Sequence, residues 1–414
     1  MNIPRQRSFW AIAVGHTTVD IFTSMGPVLL AFLSAQVLPV SNTQIGAAVS
    51  AQQLTGSLSQ PLFGWLADRG GARWQRWLGA GGVLWTVIFL VIAVALAMTG
   101  QYWLMVVPYA LAALGSGAFH PVGTMLAAEV DSDHAASNLS YFFLLGQAGL
   151  ALGPALAGIL LDRANPAGAS VVTVTPIYVL GLLALLPIGL LAINMPSGRT
   201  RARHAVAASP GASASLPARA LALLALVVML RSMAQPGSVA FIPRLFQSKG
   251  WDPTEYGLIT TSFWLASGIA GVIFGQLADR YDRRHVIAAS LLLSVPALYL
   301  LPVSGEKPLA FGLAIAAGAL TGGSHSVIVA LAQSLIPGRK GLASGLTLGF
   351  LFATGAIGSL LIGGLSDQIG LASAFQVVAL VVIAAGLAAL WLPAGTQRRA
   401  AEPRQPEPAS TQTR

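Results

Sequence analysis

Two charged side chains stand where a charge is expensive. Asp20 lies 13 residues beyond Arg7 and Arg231 lies 12 beyond Arg219, each inside a long apolar stretch. If those stretches are bilayer-crossing helices, a rise of about 1.5 Å per residue puts both roughly 18–20 Å from one face, near mid-depth. A charge there is disfavoured by roughly 2.5–3.5 kcal/mol, so it marks a pathway or a partner. His16 stands one helical turn before Asp20, and His120 and His325 fall at mid-depth of two further stretches, 205 residues apart. An imidazole titrates near neutral pH and can pass on a proton or, when charged, hold an oxyanion. Asp20, His16 and His120 are therefore the candidate proton-coupling residues. Arg231, His120 and His325, with the uncharged Gln52, Gln147 and Gln235, are the candidate substrate-binding residues. The plainer alternative makes them packing histidines and helix-tying glutamines.

No catalytic set accompanies them. The chain has no cysteine, hence no thiol nucleophile, disulfide or thiolate metal site. It carries no His-x-x-x-His pair, phosphate-cradling glycine loop or nucleophile elbow. An enzyme is not expected, nor a metal or cofactor, and any work must draw on an ion gradient.

The elements that position these residues follow from composition. With 55% hydrophobic and 9% charged residues over 414 positions, the chain has more apolar surface than a water-soluble core can hide, so it belongs in a bilayer. Twelve stretches are long enough to cross, at 8–38, 43–67, 75–98, 102–128, 138–161, 175–193, 218–246, 254–278, 286–301, 309–336, 342–366 and 372–392. Helices joined by tight turns are expected, since backbone at membrane depth must bond internally, and Pro27, Pro121, Pro154 and Pro236 mark expected kinks. Assigning alternate loops to the two sides puts 18 of the 23 Lys and Arg on one side, which makes both termini cytoplasmic. That asymmetry accounts for the net charge of +9 without nucleic acid.

The halves repeat. Gly64-Trp65-Leu66-Ala67-Asp68-Arg69 returns as Gly275-Gln276-Leu277-Ala278-Asp279-Arg280, 211 residues on, and Asp20 to Arg231 and Gly26 to Gly237 keep that offset. Duplication of a six-helix unit is expected: residues 1–195 form an N-terminal half and 218–396 a C-terminal half. Between them 196–217, rich in Ser, Ala, Gly, Pro and Arg, is expected to be a cytoplasmic linker, and 397–414 a disordered tail.

The repeated loop, with Arg73 and Arg76 following the first copy and Arg283 and Arg284 the second, resembles the signature loop of the major facilitator superfamily. Gly64, Asp68, Arg69, Arg73, Gly275, Asp279, Arg280 and Arg284 are the candidate gating clamp, an acid at a helix end facing cations; a topology anchor is the alternative. Gly115-Ser116-Gly117-Ala118-Phe119-His120-Pro121, the run from Ala148 to Pro154, His16 with Asp20, and Gln60-Pro61 resemble the fosmidomycin-resistance branch of that superfamily. The spacing of Gly149, Gly153, Pro154 and Gly158 resembles the antiporter motif of its drug exporters. Leu111 stands where many of them carry Arg.

The resemblance implies an all-α fold of twelve transmembrane helices in two pseudo-symmetric halves, working by alternating access. It places the first and seventh helices at equivalent cavity-lining positions, so an Asp20–Arg231 bridge is expected there, broken when an anionic substrate takes Arg231 and Asp20 takes a proton. The expected function is proton-coupled export of small toxic compounds, anionic or zwitterionic, by a monomer in a bacterial inner membrane. Its partners are that substrate, protons and the bilayer, with no nucleic acid. Uptake by a symporter and a non-transporting receptor or assembly partner remain the alternatives.

Overall fold

A computed structural model describes residues 4–131, 134–195, 218–335 and 340–393. Among them the chain is helical, with no strand: α1 (Arg7–Ser24), α2 (Gly26–Gln36), α3 (Asn42–Ala97), α4 (Tyr102–Glu129), α5 (Ala135–Ala164), α6 (Thr175–Leu183), α7 (Leu185–Asn194), α8 (Ala218–Ser232), α9 (Ile242–Gln247), α10 (Pro253–Arg280), α11 (Arg283–Leu300), α12 (Lys307–Leu335), α13 (Lys340–Ile369) and α14 (Leu371–Ala389). Eleven spans among the described residues are long and apolar enough to cross a membrane, α1–α2 and α6–α7 each counting as one. The remaining expected span, 43–67, is helical as the first limb of α3 but falls short on apolarity, since it carries Gln52, Gln53, Ser57, Ser59 and Gln60. Gly71, at φ 66° and ψ −168°, turns α3 sharply between its two limbs, a left-handed conformation that glycine adopts without a Cβ clash.

Matching signals start matching helices. Ser41 and Gln44 form a capping box on α3, and Asp252 and Glu255, 211 residues later, form one on α10. The two first helices are also interrupted alike. α1 gives way to α2 at Met25, ahead of Pro27, and α8 runs into a π-helical turn, Met233–Gly237, around Pro236. In each case the interruption follows the buried ionisable residue within two turns. Pro121 and Pro154, expected to kink their helices, lie inside the continuous α4 and α5.

Within the N-terminal half α1 packs on α5 and α4, and α4 on α3; in the C-terminal half α8 packs on α14 and α13, and α10 on α12. The halves meet where α3 lies along α13, α5 along α10, and α2 against α9. The expected linker 196–217 and tail 397–414 lie outside the described residues.

Candidate proton and substrate site

In the N-terminal half three of the expected residues converge. One turn of α1 puts His16 and Asp20 on one face, and α4 brings His120 to the same carboxylate. His16 Nε2 is 3.2 Å from Asp20 Oδ2, and His120 Nε2 is 3.3 Å from Asp20 Oδ1. The outer nitrogens are tied to backbone: His16 Nδ1 donates to the Phe142 carbonyl at 2.9 Å and His120 Nδ1 to the Ser116 carbonyl at 2.8 Å. His16 also stacks on Phe142, centroids 4.0 Å apart. His16 and Asp20 are buried, while the His120 side chain is 27% exposed and forms the cluster's way out.

The expected antiporter glycines form the seat of this cluster. A Cβ on Gly149 would lie 2.6 Å from the Thr17 carbonyl oxygen and 2.9 Å from the Asp20 Cβ, so α1 approaches α5 this closely only over a glycine. Gly153 meets Ser24 and Ile21 of α1, whereas Gly158 meets Pro253 and Gly257 of α10, with the Pro154 carbonyl alongside. The motif therefore serves two contacts, one within its half and one across halves.

In the C-terminal half Arg231 is fully buried. Its Nε donates to Ser324 Oγ at 2.9 Å and the Thr321 carbonyl at 3.1 Å; Nη2 donates to Thr321 at 2.7 Å and to Gln235 Oε1. Gln235 in turn donates to Ser267 Oγ at 2.9 Å. Nη1 is buried with no partner, and no carboxylate pairs with the guanidinium among the described residues. His325 lies within electrostatic range of it.

The expected Asp20–Arg231 bridge is not formed. Each residue is held inside its own half, because α4 and α12 offer closer partners than the opposite half does. Thr321 of α12 and Ser116 of α4 are themselves 205 residues apart, so equivalent carbonyls serve Arg231 of α8 and His120 of α4. Of the expected glutamines, Gln235 joins the Arg231 network, Gln52 is buried on α3, and Gln147 faces Gly268 of α10 with its Oε1 buried and unpaired.

The gating residues are dispersed. Gly64 lies near Pro121 and Gly275 near Ser326, each within its own half. Arg69 stacks over Trp65 at 4.5 Å, and Arg73 lines a cleft against α7 with Trp77 and Ile188. Asp279 and Arg280 are exposed at the end of α10, and Arg284 pairs with Asp282 at 3.0 Å. The Asp68 side chain lies outside the described residues.

At the opposite end of the bundle a symmetric pair of contacts joins the halves. Asp367, ending α13, accepts from the backbone N–H of Asn42 and Thr43 at 2.9 and 2.8 Å, and Asp162, ending α5, accepts from Thr254 Oγ1 at 2.7 Å. Arg244 of α9 adds bonds to Asn42 Oδ1 and Ser34 Oγ, both at 3.1 Å. None of these was singled out as functional from sequence. The signal was present: Asp162 and Asp367 keep the 205-residue offset, and Thr43 and Thr254 the 211-residue one.

The family model of the Major Facilitator Superfamily matches residues 12–223 and again 221–413. The chain belongs to the Major Facilitator Superfamily. It is 25% identical over 389 residues to the fosmidomycin resistance protein of Escherichia coli (strain K12), covering 92% of both chains. It is 26% identical over 399 residues to an uncharacterized MFS-type transporter, YfnC, of Bacillus subtilis (strain 168), covering 94% of this chain and 93% of that one. Its fold superposes on a D-xylose-proton symporter with a TM-score of 0.74 at 16% identity, over 94% of this chain and 99% of the other. The major facilitator fold, expected from the resemblance of the repeated loop, is the fold observed: a multi-pass membrane transporter, not an enzyme.

Proposed function

We propose that this Major Facilitator Superfamily chain exports small toxic compounds, anionic or zwitterionic, in exchange for protons across a bacterial inner membrane. The observation that carries the reading is a division of charge: a carboxylate with two imidazoles in one half, a guanidinium with no counter-ion in the other. An uncompensated buried charge is costly, and the unengaged Nη1 of Arg231 offers an incoming anion a charge-assisted bond. Gln235 holds the neighbouring Nη2. Protons load at Asp20, His16 and His120, on the α1–α4 contact, so their arrival and departure change how tightly α1 is held. Coupling then runs through helix position rather than through a direct Asp20–Arg231 exchange.

The same reading makes residues 1–195 and 218–396 the two moving halves, joined by a cytoplasmic linker at 196–217, with both termini cytoplasmic and the protein a monomer. Likeness to a fosmidomycin resistance protein favours export and makes fosmidomycin the first probe. The test has two arms. A strain lacking the gene should become hypersensitive to the exported compound, and proteoliposomes should move protons against it, with Asp20→Asn abolishing the proton flux. Growth loss on a carbon source without hypersensitivity would instead mark an uptake symporter.

A further inference from the structure

We propose that His16, Asp20 and His120 form a binding site for one divalent transition-metal ion of the zinc class, which ties α1 to α4 when it binds. The site stands on the geometry of the cluster, and its consequence for transport rests on the exporter reading above.

Three atoms able to ligate, one from each residue, lie within 4.8 Å of one another. Both rings are fixed in the tautomer a metal needs. A backbone carbonyl only accepts, so the Nδ1 contacts to Phe142 and Ser116 carry the hydrogens, and each neutral ring keeps its Nε2 lone pair. An outer N–H held by a backbone carbonyl is the common arrangement behind a metal-bound imidazole, since it sets the ring's orientation and makes the other nitrogen more basic. The Nε2 to carboxylate separations of 3.2 and 3.3 Å match the edge of a tetrahedron around zinc, about 3.3–3.4 Å for bonds of about 2.0–2.1 Å. Neither approach is aligned as a hydrogen bond. A tetrahedral ion accounts for that, because it sits beside the line joining two of its ligands and not on it.

The surroundings complete the site. His16 is held by the Phe142 ring at 4.0 Å, and Gly146 leaves room for it, since a Cβ there would lie 2.6 Å from His16 Nε2. His120, 27% exposed, is free to turn inward, and its open side gives an ion both an entry path and a fourth position for water or an anionic group. Two imidazole nitrogens and one carboxylate suit zinc and its neighbours, whereas magnesium and calcium take oxygen sets. His16 and Asp20 lie on α1 and His120 on α4, so one bound ion bridges the two helices and stops α1 from moving against α4.

Metal binding tests this without a known substrate. The full chain in lipid nanodiscs is titrated with Zn2+ by calorimetry, and with Co2+, whose visible absorption reports tetrahedral coordination. Wild type should hold about one ion per chain. His120→Gln, which removes a ligand at the part-exposed edge, and Gly146→Ala, which removes none but displaces the His16 ring, should each weaken binding by about 10–100-fold or more at unchanged helicity. His134→Gln and His285→Gln, outside the cluster, should bind as wild type does. Zinc X-ray absorption of wild type should show two imidazoles and at least one oxygen. Absence of a one-to-one site, a site that survives His120→Gln, or a zinc spectrum without imidazole overturns the inference. Flux in proteoliposomes, with fosmidomycin as probe, reports separately on the parent reading: Zn2+ should arrest it and a chelator restore it. One ion bound with flux unaltered would refute the bridging of α1 to α4, and no proton-driven flux in metal-free wild type would refute the exporter and leave the metal site intact.

Discussion

Arg231 shows what a single side chain can be asked to do. It is fully buried without a counter-ion, and its removal should therefore separate stability from function. An apolar side chain of similar length removes the buried charge but leaves Gln235 Oε1 and Ser324 Oγ without their donor, so Arg231→Met should cost at most about 1–3 kcal/mol in nanodisc denaturation. The same variant should lose transport of an anionic probe. Arg231→Lys keeps the charge but not the forked donors, and should weaken probe binding by about tenfold or more in a proteoliposome affinity measurement. Depth along a helix made Asp20, His16, His120 and Arg231 legible, because charge inside an apolar stretch is a strong signal. Their partners were not. Two opposite charges at equal depth read as a pair, yet a carboxylate bonds to whatever lies within about 3 Å, and that is set by helix contacts no single sequence displays. Ser324 and the Thr321 carbonyl, which hold Arg231, are ordinary in type, and only Thr321 stands out, through its 205-residue offset from Ser116.

Among the elements, the contact of α1 with α5 decides where the proton site sits. Gly149→Val would drive a branched side chain into Thr17 and Asp20 and push α1 outward. Proton-coupled flux should then fall by about tenfold or more, the scale of a misplacement near 1 Å, while expression persists. Gly189→Ala on α7 is the matched control, since a Cβ there meets nothing within 4 Å, and it should leave flux unchanged. The helices themselves were legible in the long apolar runs. The first limb of α3, at 43–67, is the least apolar of the twelve because it carries Gln52, Gln53, Ser57, Ser59 and Gln60, yet it too is helical. The π-helical turn after Arg231 was not legible in type, although Pro236 announced an interruption there.

For the whole molecule, the symmetric contacts of Asp367 and Asp162 hold one end of the bundle shut. A carboxylate accepting bonds at a helix start is worth about 1–2 kcal/mol, so removing one should shift the balance between open and closed forms by about 5–30-fold. Asp367→Ala, and more so Asp162→Ala with Asp367→Ala, should raise labelling of single cysteines introduced near Asn42 or Pro253. The chain has no native cysteine to confuse the readout. Twofold design was legible in the repeated loop, but which contacts use it depends on the conformation, and sequence records every conformation at once.

The interruptions beyond Asp20 and Arg231 give this arrangement a mechanical meaning. The short pieces past them, α2 and α9, are stapled to one another through Arg244 and Ser34, while the long pieces, α1 and α8, carry the titratable and anion-seeking groups. Each half thus owns a lever whose fulcrum is shared with its twin. A small chemical event at either buried charge swings the long arm while the short arm stays moored, and the two levers can be set against each other although their charged groups never touch.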